Sequence, residues 1–173
     1  MRDNNSYFPA DHIHPLQILE NMNHPMIPKL VSYNNYSYTC EHIEGISLEN
    51  YIRKTRDAAL GLKIIKDINN FMYDLTEITK VNDKGQVLQF LCDDIHGNNI
   101  MVTEDGKVSI IDLDQFGFHH PYTIFKILQF TNIRLCGSVR DGLLIGDSDT
   151  YSQDSKDKSK HIKKLEEKLL DYV

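Results

Sequence analysis

The chain has no long hydrophobic run, no closely spaced cysteine pair, no basic stripe and no internal repeat, and each absence removes a class of protein. Nowhere do the roughly 18 consecutive apolar residues of a membrane-crossing helix occur. The opening Met-Arg-Asp-Asn-Asn-Ser lacks the apolar core of a secretory signal. Cys40, Cys92 and Cys136 are odd in number and widely spaced, without a Cys-x-x-Cys pair, so neither a disulfide framework nor a zinc site is expected. They read as small, reduced, buried apolar residues. A formal net charge of −6 argues against nucleic acid or an anionic membrane as the main partner. The expectation is a soluble, cytoplasmic protein.

What is present suffices for a real core: 173 residues, one domain by length, with 40% apolar content. A short helix is expected over residues 16–22 and strands at about 29–33 and 37–43. Ser47 is placed to cap a helical turn through Ile52. From residue 57 to 79, Leu60, Ile64, Ile68, Phe71, Leu75 and Ile78 recur at steps of three and four, which predicts a helix with one buried stripe and Asp57 as its cap. Ile124, Ile127, Leu128 and Thr131 suggest another helix over about 122–133, and His119 and His120 before Pro121 read as a turn. Residues 146–160, rich in Asp, Ser and Lys, read as a solvated linker. Ile162, Leu165, Leu169 and Val173 then line one face of an expected charged helix over about 159–172, either docked on the body of the protein or free to meet a partner.

The chemistry concentrates between residues 87 and 114. Val87 to Leu91, Ile100 to Val102 and Val108 to Leu113 are short apolar runs, the last two joined by a Glu-Asp-Gly turn of hairpin type. Asp94 and Asn99 lie on the connection between the first two runs, and Asp112 closes the third. Hard oxygen ligands in small number suit Mg²⁺, which keeps waters and takes its remaining ligands from substrate phosphates. An aspartate beside such an ion could accept the proton of an attacking hydroxyl.

Here the chain resembles the protein-kinase-like phosphotransferases, including their aminoglycoside and choline kinase branch. Members carry a loop of the form His-x-Asp-x-x-x-x-Asn and a metal-binding Asp about a dozen residues later. Asp94-Ile-His-Gly-Asn-Asn99 has that spacing, and Asp112 lies 13 residues beyond Asn99. The resemblance implies Asp94 as catalytic base, with His96 beside it, and Asn99 and Asp112 as ligands of Mg²⁺ and its bound ATP. Cys92 stands where the family's loop has His, and Asp112-Leu-Asp replaces Asp-Phe-Gly. Upstream, His24-Pro-Met-Ile-Pro-Lys-Leu-Val-Ser-Tyr and then Tyr38-Thr-Cys-Glu-His-Ile-Glu-Gly resemble a small-lobe strand pair entering the interlobe hinge. The likeness implies Cys40 at the back of the nucleotide pocket and backbone groups around Glu41 and Ile43 against adenine.

The likeness covers about residues 16–118. The 23 residues before His24 contain neither glycine nor lysine, so the family's glycine-rich loop and strand lysine are not found there, and no Ala-Pro-Glu signature follows Asp114. The fold expected is α+β and protein-kinase-like. A reduced small lobe and hinge occupies residues 1–44, a minimal large lobe residues 45–145, and a polar linker with an amphipathic helix residues 146–173. A basic group from a partner or from a second copy is one expected substitute for the lysine, so a homodimer is possible.

Three functions follow as expectations. One is an ATP- and Mg²⁺-dependent phosphotransferase acting on a hydroxyl, more readily of a protein than of a small molecule. Another is a pseudokinase that binds a regulatory protein partner. The third is a metal-dependent hydrolase built on Asp93, Asp94, His96 and Asp112. Asp114 reads as a solvent-facing carboxylate or an added metal ligand, and Glu44, near the hinge, as a surface carboxylate or a contact to ribose or substrate.

Overall fold

The computed structural model describes residues 14–34 and 36–144. The expected polar linker and C-terminal helix lie outside them. Two strong caps set the early helices. His14 accepts the Leu16 N–H through Nδ1 at 3.2 Å and starts α1, Pro15–Met22, with proline at its first position. Ser47 caps α2, Leu48–Thr55, as expected. Between them, β1, Leu30–Tyr33, and β2, Tyr38–Cys40, pair antiparallel, with Leu30 opposite Cys40. The second expected strand ends at Cys40, and Glu41 to Ile43 continue without regular structure.

Asp57 caps α3, Ala58–Thr76, by accepting the Leu60 N–H at 3.0 Å. The stripe Ile64, Ile68, Phe71 and Leu75 is buried as its periodicity predicts. The helix stops three residues short of the expected end. Ile78 leads into β4, Thr79–Val81, which turns at Asn82 and Gly85 and pairs with β5, Val87–Cys92. The Asn82 side chain accepts the N–H groups of Lys84 and Gln86, and Gly85 takes φ +74°. On its other side β5 pairs with β8, Phe116–His119, so His119 ends a strand rather than making a turn.

A separate three-stranded sheet has the order β3, β6, β7, formed by Ile46–Ser47, Ile100–Val102 and Val108–Ile110. Gly106, at φ +81°, closes the β6–β7 hairpin at the expected Glu-Asp-Gly turn. The third apolar run is shorter as a strand than its sequence suggests, because Asp112 breaks it with a left-handed backbone and Leu113–Gln115 form a 3₁₀ turn.

The last described helix, α4, runs Pro121–Leu144, eleven residues beyond its expected end at 133. Ile124, Ile127, Thr131, Leu135 and Val139 bury one side of it. It packs against α2 and α3 at close range: a Cβ on Gly142 would meet the Glu49 carbonyl oxygen at 2.6 Å. One hydrophobic core runs from Leu16 and Leu19 of α1 through α3, β5 and β6 to Val139 of α4. The architecture is α+β, with small antiparallel sheets. Among the described residues no helix is long and apolar enough to cross a membrane.

Candidate active site

β5 delivers the chain to the site by burying everything around the functional groups. Phe90, Leu91, Cys92 and Ile95 are each at most 1% exposed. Asp93 and Asp94 are forced outward between these anchors, Asp93 exposed and Asp94 half-buried. Burial pushes the Cys92 thiol up to about 12, so it is an inert apolar group that braces the loop from within. His96 caps a single 3₁₀ turn, Gly97–Asn99, with Nδ1 accepting the Asn98 N–H at 3.3 Å. Its other nitrogen, Nε2, lies 3.8 Å from Asp94 Oδ2. A backbone-bonding role for His96 therefore coexists with proximity to the Asp94 carboxylate.

Asn99 is the centre of the arrangement. Its Nδ2 donates to the Asp94 carbonyl at 3.1 Å and reaches Asp112 Oδ2 at 3.4 Å. Its backbone carbonyl accepts the Ile111 N–H at 2.9 Å, which ties the loop to the far strand of the hairpin. The amide nitrogen is spent on these contacts, so a cation could be met only by the amide oxygen. Asp112 holds φ 68° and ψ 62°, a left-handed conformation that a short polar side chain tolerates better than most. Its carboxyl is raised above the usual range, first by desolvation, then by a hydrogen bond with Asp114 and by the charges of Asp114 and Asp94, with His96 opposing. The residue as a whole is exposed, so this is partial desolvation at a turn rather than deep burial.

That crowding of carboxylates answers whether the residues fit Mg²⁺. Asp112, Asp114 and the Asn99 amide oxygen are hard donors, and their mutual repulsion is of the kind that a cation relieves. They do not form a closed cage: among the described residues no three His, Cys, Asp or Glu side chains converge to hold a metal ion. An ion held here would have to take most of its ligands from phosphates and water. Of the four residues of the expected hydrolase site, Asp94 and His96 lie 3.8 Å apart, Asn99 ties the Asp94 carbonyl to the Asp112 carboxylate, and Asp93 is exposed.

The upstream residues approach the site through Tyr38. Its hydroxyl accepts the Leu113 N–H at 2.9 Å, which pins β2 to the Asp112 turn. Burial raises the Tyr38 phenol; the Leu113 N–H opposes this, and the charges of Asp112 and Asp114 add to it. Cys40, two residues on, is half-buried against the core. The Glu41 N–H donates to the Lys29 carbonyl at 2.9 Å, and its carboxylate accepts the Lys29 N–H at 3.0 Å. Glu41 is therefore engaged with β1, while Ile43 lies half-buried in the extended link to β3.

The residue that sequence reasoning missed is Arg134. Its Nη1 donates to Asp94 Oδ1 at 2.6 Å from the part of α4 beyond the expected helix end. Continuation of the three- and four-residue rhythm through Leu135 and Val139 was the available signal. A cleft of about 360 Å³ lies here, lined by Asp94, His96 and Gly97 from the loop, Arg134 and Ser138 from α4, and Glu49 from α2. A larger cleft of about 520 Å³ between α3 and α4, lined by Lys63, Lys66, Asn69, Tyr73 and Cys136, contains none of the expected site residues.

No protein-family model matches this chain, and no curated protein matches it.

Proposed function

We propose that the chain is a kinase-like phosphotransferase that moves the γ-phosphoryl group of ATP to a hydroxyl, with a protein Ser or Thr as the expected acceptor. The observation that carries this reading is the double engagement of Asn99, which holds the Asp94 carbonyl at 3.1 Å and the Asp112 carboxylate at 3.4 Å. A candidate base and a candidate metal-binding acid, which flank the β6–β7 hairpin in the chain, are thereby tied to one amide. Asp94 would accept the hydroxyl proton, and Asp112 with the Asn99 amide oxygen would hold Mg²⁺. The ion, when bound, supplies charge neutralisation on the phosphates. With the Glu41 N–H already donated to Lys29, recognition of adenine falls to the Glu41 carbonyl and the backbone of Ile43, with Cys40 behind them.

A second reading, a pseudokinase serving as a regulatory binding module, draws on a different observation. Arg134 occupies the Asp94 carboxylate at 2.6 Å, which engages the candidate base.

Titration calorimetry of the full chain with ATP, with and without Mg²⁺, tests the first reading against the second. Binding that requires Mg²⁺ and disappears in Asp112→Ala is the expected result. No heat at millimolar ATP would overturn the phosphotransferase and leave the binding module.

A further inference from the structure

We infer that Arg134 is a catalytic residue, the group that meets the negative charge of the phosphoryl group in transit. The inference rests on the phosphotransferase reading and adds to it a cation from this chain's own last described helix, where a partner or a second copy was expected to bring one. Three features of the geometry support it. The first is how the guanidinium is engaged. Only Nη1 bonds to Asp94, through Oδ1 at 2.6 Å, whereas a guanidinium carries five N–H donors in a fixed fork. About half of the side chain is exposed, and it lines the 360 Å³ cleft. Among the described residues, donors therefore remain for a second anion beside the base.

The second feature is the state of the other carboxylates lining the cleft. Glu49 is paired with Arg53 at 2.7 Å and Asp141 with Arg140 at 3.0 Å. Neither needs Arg134 as its counter-ion. Asp94 is the carboxylate it serves, and Asp94 is the candidate base.

The third is rigidity. Gly97 lies directly against Ser138: a Cβ there would come within 2.2 Å of Ser138 Oγ. The Ser138 hydroxyl in turn donates to the Arg134 carbonyl at 3.0 Å. The loop that carries Asp94 and the turn of α4 that carries Arg134 are thus in direct contact, and the separation of their functional groups is set by packing. Preorganised donors of this kind are what stabilise developing charge.

In the step itself, the acceptor oxygen forms a bond to the γ-phosphorus as the bond from that phosphorus to the β–γ bridging oxygen breaks. ADP leaves with the electron pair, and the acceptor proton passes to the Asp94 carboxylate. The free Arg134 N–H groups donate to the equatorial phosphoryl oxygens, which lie next to the base because the acceptor oxygen does.

Two measurements on the full chain test this, each with Arg134→Ala and Arg134→Lys. The first is hydrolysis of Mg-ATP with water as acceptor. Arg134→Ala is expected to lose ~10²- to 10³-fold in kcat with its ATP affinity unchanged. Added guanidinium ion should restore part of the rate to the alanine variant. The second needs no turnover: calorimetry of ADP with aluminium tetrafluoride, a planar mimic of the phosphoryl group in transit, against ADP alone. The wild-type chain should bind the mimic at least about tenfold more tightly, and Arg134→Ala should lose that preference. Unchanged or faster hydrolysis in Arg134→Ala, or no preference for the mimic in a wild-type chain that binds ADP, would overturn the role. Failure of the wild type to bind any nucleotide would instead bring down the phosphotransferase reading and this role with it, so the two failures are told apart by binding alone.

Discussion

Asp112 holds a conformation, φ 68°, that asparagine adopts as readily as aspartate, and it holds it beside two other carboxylates. Its raised carboxyl has a definite linkage sign. The folded chain binds that proton more tightly than the unfolded chain does, so this group favours folding at low pH. The contribution is lost as pH rises from the usual aspartate value of 3.8 through the raised folded value. Asp112→Asn should therefore melt higher than the wild type at neutral pH and lose that advantage as the pH falls toward 4. The gain should be on the order of a few tenths of a kcal/mol, because solvent screens an exposed carboxylate. Thermal melts across that pH range check it; an advantage that stays constant with pH would show that Asp112 carries no such proton linkage. Some of this site was legible residue by residue. The spacing of Asp94, Asn99 and Asp112 is visible in the chain, but the amide orientation that turns the Asn99 nitrogen to the Asp94 carbonyl and the Asp112 carboxylate depends on which neighbours it finds.

At the scale of elements, the decisive contact is between the 3₁₀ turn at Gly97 and α4. Gly97 is needed there for lack of a side chain rather than for an unusual backbone, since a Cβ would overlap both Oγ and Cβ of Ser138. Gly97→Ala should destabilise the protein by about 1–3 kcal/mol through overpacking. Ser138→Gly in the same chain should restore most of that loss despite the lower helix propensity of glycine. Urea denaturation of the two single variants and the double variant measures the coupling. Additive losses would mean that the two residues do not meet. Helix periodicity made α1, α2 and α3 readable almost to their caps, because His14, Ser47 and Asp57 each sit beside an apolar rhythm. It failed at the ends: Ile78 continues the helical rhythm of α3, yet its backbone carbonyl accepts the Phe90 N–H at 2.9 Å, a pairing across β4 and β5.

Across the whole molecule, the segment before Gly45 shares its core with everything after it. His24 stacks on Phe71 of α3 with ring centroids 4.4 Å apart, Ile110 donates to the Met26 carbonyl at 2.8 Å, and Leu113 donates to Tyr38. Leu19 is fully buried in that common core. Leu19→Ala should cost about 2–5 kcal/mol and lower a single unfolding transition seen alike by helical circular dichroism and by tyrosine fluorescence. Two separated transitions would instead show that the first segment folds as its own unit.

The identity and spacing of the polar groups between Asp94 and Asp114, the alternation of helical and strand rhythms, and the caps that start the first three helices are properties of local sequence, because each depends on neighbours within a few residues along the chain. Which strands pair, where α3 yields to β4, and the arrival of Arg134 at Asp94 were decided by tertiary structure. Arg134 lies 40 residues from Asp94, and only the packing of α4 against α2, α3 and the Gly97 turn brings its guanidinium within 2.6 Å of that carboxylate.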